Sequence, residues 1–220
     1  MYPPRHVVVV WLLAAIGAAP SAALAQEATP NLQLLAAARA GDSAGVARAL
    51  AAGATPDARS RIGETALVIA LKAGRVELAR QMLDAGADVN VAAVNGVTPL
   101  MAAAYGGYTD IARALLAKGA AVAAVDRVQK TAMTYAAGQG STEIVRLLLG
   151  SGVDPNATYA HSLTALMWAA GYGQTETVRA LLSAGARVEL RDDRGKSALD
   201  IAREGNFPET AKLLESAGKT

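Results

Sequence analysis

The chain has 220 residues, 21 Lys and Arg against 19 Asp and Glu, a formal charge of +2, two histidines and no cysteine. A balance this close to neutral gives no electrostatic case for nucleic acid or a membrane surface as partner. The lack of cysteine excludes disulfides, thiol catalysis and cysteine lipidation together.

Residues 1–25 differ in kind from the rest. Arg5 and His6 precede an uninterrupted apolar run from Val7 to Ala19, followed by Pro20, Ser21 and the small-residue triplet Ala23-Leu24-Ala25. A positive start, a short apolar stretch and an A-x-A end are the layout of a secretory signal peptide, cut between Ala25 and Gln26. The competing reading is a retained anchor, but the run falls short of the ~20 residues that a spanning helix needs. Removing residues 1–25 removes Arg5, taking the formal charge from +2 to +1. Residues 26–30 read as a short polar lead.

From residue 31 the sequence repeats. Thr65, Thr98, Thr131, Thr164 and Ser197 stand 33 residues apart, each followed by Ala or Pro and then Leu or Met. A glycine comes about nine residues later (Gly74, Gly107, Gly140, Gly173), and another opens the next phrase at Gly86, Gly119, Gly152 and Gly185. A fixed period of this length marks a solenoid. The hydroxyl suits an N-cap, Pro99 suits the first helical position, and the nearer glycine suits a left-handed stop. A second segment with helical spacing follows, as in Ile144, Val145, Leu147 and Leu148. The expected unit is helix, turn, helix, hairpin.

In order, the units are 31–60, 61–93, 94–126, 127–159, 160–192 and 193–220. The first is found by register alone, because Leu34, Ala37, Gly41 and Gly53 precede Leu67, Ala70, Gly74 and Gly86 by 33. It reads as an N-terminal cap, since no hairpin precedes it. Residues 191–220 hold 12 charged side chains, against 4 in 94–126. That contrast marks a C-terminal cap turning a stacking face to water. Asn206 stands where a helix-ending glycine is expected and also tolerates the left-handed form.

The Thr-Pro-Leu start, its variants and the 33-residue beat resemble the ankyrin repeat. The resemblance covers residues 31–218 and implies an all-α ankyrin-repeat solenoid of about six repeats, caps included. Two departures stand out. The histidine usual after T-P-L is replaced by Val68, Met101, Thr134, Met167 and Asp200. Gln129 and Ser162 hold the hairpin place that Gly63, Gly96 and Gly195 fill elsewhere.

Little in the chain supports chemistry. The only histidine after residue 25 is His161, expected at a hairpin tip without a fixed partner. Nucleophilic catalysis and zinc binding both need more than one such group, and the glycines fall on the repeat beat rather than in a phosphate loop. No catalytic, cofactor or metal residue is therefore assigned. An enzyme remains the weakest reading.

Binding is the expected activity, because stacked repeats leave a long concave face. The resemblance implies partner contacts around each hairpin glycine and at the end of each first helix. By register the hairpin candidates are Arg61, Ile62 and Glu64; Val94, Asn95 and Val97; Arg127, Val128 and Lys130; His161 and Leu163; Arg194 and Lys196. The helix-end candidates are Lys72, Tyr105, Gln139, Tyr172 and Glu204, with Tyr108 just past the same turn. Tyr135 and Trp168 fall where the family usually places a core leucine and are expected to be buried. The expected protein is an exported, monomeric binder of another extracytoplasmic protein, with no cofactor, nucleic acid or membrane span after cleavage. Its rival is a secreted effector or toxin-associated binding protein.

Overall fold

The computed structural model describes residues 29–219. The proposed leader 1–25 and the Ala25–Gln26 junction lie outside the described residues. Twelve α-helices follow one another in pairs: α1 (Pro30–Ala40) and α2 (Ser43–Ala51), α3 (Ala66–Lys72) and α4 (Val76–Asp84), α5 (Pro99–Gly106) and α6 (Thr109–Ala117). The series continues with α7 (Ala132–Gln139) and α8 (Thr142–Gly150), α9 (Ala165–Gly171) and α10 (Thr175–Ser183), α11 (Ala198–Glu204) and α12 (Pro208–Ala217). Among the described residues the hairpins form no strand, only one isolated bridge between Thr158 and Thr164. The architecture is an all-α repeat solenoid.

Each inner helix from α3 onward starts as its sequence requires. Thr65, Thr98, Thr131, Thr164 and Ser197 are extended at the N-cap, and each hydroxyl accepts the N–H three residues on. One of the four free donors at the helix start is thereby satisfied. Ser197 and Asp200 complete a reciprocal box, because the Asp200 carboxylate takes the Ser197 N–H at 2.9 Å. Gly107 and Gly140 leave their helices with φ of 70° and 74°, and Asn206 takes φ 58° in the closing repeat.

The core runs the length of the array between inner and outer helices. Leu67, Leu100, Met133 and Leu166 are buried from the inner row, and Ile111, Leu115, Ile144, Leu148, Val178 and Leu181 from the outer row. Each such side chain stabilises the fold by roughly 1.5–3 kcal/mol relative to exposure. The alanine pairs 103–104, 136–137 and 169–170 are fully buried, which lets α5, α7 and α9 approach closely. Leu199, in the last described repeat, is only half-buried.

Apart from α2, where Asp42 Oδ1 accepts the Gly45 N–H at 2.8 Å, the outer helices lack side-chain N-caps. The residue at that place reaches back to the preceding repeat instead. Arg75 Nη1 donates to the Ala38 carbonyl at 2.6 Å, Ser141 Oγ to Ala104 at 3.2 Å, and Gln174 Nε2 to Gly138 at 3.2 Å. These carbonyls lie in the last turn of inner helices, where acceptors lack a regular helical partner, so in three repeats one residue both starts a helix and closes its neighbour. Between outer helices, Thr142 meets Thr177 and Thr175 meets Thr210, each at 2.8 Å between hydroxyls.

Candidate functional site

The hairpin tips are tied within and between repeats. Inside the tip of 127–130, Asp126 Oδ1 accepts the N–H groups of Val128 at 2.9 Å and Lys130 at 2.8 Å. Asp192 does the same for Arg194 and Lys196, both at 2.9 Å. Neighbouring tips are joined by backbone bonds from Val94 N to Ile62 O, Arg127 N to Asn95 O, and Asp193 N to His161 O. The positive φ that Gly63, Gly96 and Gly195 adopt is imposed on Gln129 (60°) and on the consecutive pair His161 and Ser162 (59° and 57°). The first three tips are thus joined in series, and the last two to each other.

Beside this ridge of tips lies a row of rings. Tyr105 at the end of α5 meets Tyr135 of α7 edge-on, with centroids 5.9 Å apart. The Lys130 ammonium sits 5.4 Å from the Tyr135 centroid and 4.5 Å from that of Trp168 on α9. Trp168 in turn stacks on Tyr172 at 6.2 Å. Tyr105 and Tyr172 are exposed, at 59% and 55%, whereas Tyr135 and Trp168 are half-buried. Both geometries are favourable aromatic arrangements, and a lysine over two faces adds cation–π attraction. Gly138 stands beneath, where a Cβ would lie 3.6 Å from the Tyr172 ring.

Next to Tyr105 the surface dips into a recess of about 310 Å³. Met101, Ala102, Val97 and the two rings Tyr105 and Tyr135 line it, with Lys72 at its edge. The recess is apolar and open on one side.

Charge along the face is uneven. Lys72 pairs with Glu64 at 2.5 Å, Arg194 with Asp192 at 2.7 Å, and Lys196 with Glu204. Arg127 and Lys130 have no ion-pair partner among the described residues. The nearby Asp126 is 4% exposed and turned inward, accepting from the Tyr135 hydroxyl at 2.6 Å. Burial, then this bond and the Asp126 charge, push the Tyr135 phenol well above its ordinary value, so it remains a donor. Trp168 Nε1 is buried with no hydrogen-bond partner.

The structure distributes the sequence candidates among three places. Tyr105, Tyr172, Lys130 and Val97 reach the row or the recess. Val94, Asn95, Arg127 and Val128 are exposed on the ridge, with Leu163 half-buried beside them. The third place belongs to Tyr108, half-buried at the start of α6, packed against the core and bordering the recess. A Cβ on Gly74 of the preceding repeat would lie 3.1 Å from the Tyr108 hydroxyl, so Tyr108 fills the back-reaching position that Arg75, Ser141 and Gln174 fill with polar bonds.

Tyr135 and Trp168 differ from expectation. They share a register position with Ala102, where small size leaves the recess open, and their bulk spills from the core onto the face. Tyr105 and Tyr172, 67 residues apart, are not register equivalents. It is the rings of Tyr135 and Trp168, with Lys130 between them, that join the row.

His161 has a neighbour after all. Its Nδ1 lies 3.8 Å from Asp193 Oδ2, and Ser162 Oγ hydrogen-bonds the same carboxylate. This is not an activated nucleophile: the serine is bound to the acid rather than to the imidazole, as general-base activation requires. Among the described residues no group of three His, Asp or Glu side chains could hold a metal, and no helix is long and apolar enough to cross a membrane.

Comparison with known proteins agrees with this geometry. The family model for ankyrin repeats, built of three copies, matches residues 34–126, 86–159 and 133–219. No curated protein matches the sequence. Ankyrin repeats are generally protein–protein interaction modules, and the family is typically non-catalytic. With matches running from residue 34 to 219 and paired helices on a 33-residue beat, this chain belongs to the ankyrin-repeat family.

Proposed function

We propose that the chain is an exported, non-catalytic module of the bacterial cell envelope that holds another protein across repeats 94–192. The observation that carries the reading is the contiguous row from Tyr105 through Tyr135, Lys130 and Trp168 to Tyr172, beside an open apolar recess. Rings of limited rotameric freedom at the centre of an apolar patch are what interface hot spots are made of. Export is supported by the layout of residues 1–25.

The test is capture from a periplasmic extract, followed by titration of the captured partner. Tyr105→Ala and Tyr172→Ala should each weaken binding by about 1–2 kcal/mol. Their own stability cost should stay near the ~0.5–1.5 kcal/mol of one aromatic pair. Parental affinity in both variants would sink the assignment of this face. Intact mass of the periplasmic protein should begin at Gln26, and a membrane-held species retaining Met1 would favour the anchor. Recovery in the culture medium, with no periplasmic pool, would favour a secreted effector.

A further inference from the structure

We infer that the middle of this face takes an acidic linear segment of a partner protein, seating one bulky apolar side chain in the recess beside Tyr105 and a neighbouring carboxylate on Lys130. The inference rests on the reading above and adds the chemistry of the partner.

Two observations carry it together. The recess holds about 310 Å³ between Met101, Ala102, Tyr105 and Tyr135, room for a large side chain projecting from a narrow segment. Beside it lies cationic charge that no carboxylate compensates among the described residues. Lys72 and Lys196, two repeats away on either side, already hold Glu64 and Glu204. Lys130 and the exposed Arg127 hold no carboxylate among the described residues, and Asp126 spends its oxygens on the Tyr135 hydroxyl and two backbone N–H groups.

The sign of the partner follows from what each alternative costs. A basic segment would lie against Lys130 and Arg127 and be repelled. A purely apolar one would cover the Lys130 ammonium and leave it desolvated without an anion. An acidic segment supplies that anion and displaces no existing ion pair. The rings of Tyr135 and Trp168 hold the ammonium at 5.4 and 4.5 Å from their centroids, so part of the ordering cost is already met before the partner arrives.

The experiment uses the purified protein against a displayed library of random peptides, then anisotropy with the best labelled peptide. Enriched peptides should carry Asp or Glu within a few residues of Phe, Trp or Leu. Lys130→Glu should weaken the labelled peptide by about tenfold or more, Lys130→Arg should retain it, and binding should weaken as salt rises. Melting curves of both variants guard against a folding defect, and binding by the folded Arg variant keeps the comparison informative if the Glu variant melts early. Enriched peptides without carboxylates, no enrichment, or parental affinity in Lys130→Glu would overturn the inference. Where Tyr105→Ala abolishes capture of a partner and Lys130→Glu does not, the face stands as the interface and only its acidic ligand falls. Indifference of both variants removes the two together.

Discussion

The Tyr135 hydroxyl donates to Asp126 Oδ2 at 2.6 Å, tying inner helix α7 to the hairpin tip that leads into it. The same carboxylate receives the backbone N–H groups of Val128 and Lys130. A tip in which Gln129 replaces the usual glycine is thus held in its left-handed form by three bonds to one side chain. That arrangement also aims Lys130 at the rings of Tyr135 and Trp168.

Tyr135→Phe should therefore lower the unfolding free energy by about 1 kcal/mol, the worth of one hydrogen bond. Asp126→Ala should cost more, about 1–3 kcal/mol, because three donors lose their acceptor. Chemical denaturation of both variants measures the difference. Equal stability of Asp126→Ala and the parent would show that the tip does not depend on this carboxylate.

Gln129→Gly should stabilise the array. A non-glycine residue in the left-handed region costs about 1–2 kcal/mol, and the entropy of a glycine offsets about 0.5–1 of it, leaving a gain of up to about 1.5 kcal/mol. Gly96→Ala should do the reverse, since φ there is 82° and a Cβ would lie 2.8 Å from Asp126 Cα. Backbone cannot be pushed aside as a side-chain tip can. A melting temperature lowered by Gln129→Gly would mean that the strain is absent.

Leu115→Ala and Leu148→Ala remove side chains that are fully buried between outer helices and core, and each should cost about 2–5 kcal/mol. Deleting 193–220 removes α11 and α12 and uncovers the faces of α9 and α10, where Val178 and Leu181 lie buried. Light scattering should then report aggregation. A truncated chain that stays monomeric and folded would show that the charged closing repeat is not needed as a cap.

Acid should loosen the closing repeat. The Ser197 N–H and hydroxyl, with Arg191 and Arg203 nearby, hold the Asp200 carboxyl below its usual 3.8. Burial raises Asp192, but bonds from Lys196 and Arg194 outweigh it and its carboxyl is also lowered. A depressed value means stability that is fully present above the unfolded pKa and is lost as pH falls through the folded one. Melting temperature should hold above about pH 5 and drop below about pH 4. Asp200→Asn should flatten part of that drop, and an unchanged profile in this variant would assign the acid sensitivity elsewhere.

The repeat was legible because its cues are local. Thr98, Pro99 and Gly107 each satisfy a requirement of the backbone within a few residues of themselves, so composition and spacing disclose the helix without reference to its neighbours. The face was less legible. Val94, Val128, Tyr105 and Tyr172 were placed by register, and they are exposed. Register alone did not show that Tyr135 and Trp168 emerge half-buried, or that Tyr108 serves packing, because each outcome depends on the size of the residue one repeat away. Ala102 leaves space, and Tyr135 walls it.

By itself, then, the sequence determined the solenoid, its helix starts and stops and its buried leucines, all consequences of contacts at short and fixed spacing. Only the tertiary structure decided which side chains make a continuous surface. Tyr105, Lys130, Trp168 and Tyr172 come from three repeats and two kinds of segment, and no spacing rule relates them. Stacking of inner helices on hairpin tips places the Lys130 charge over the Trp168 ring.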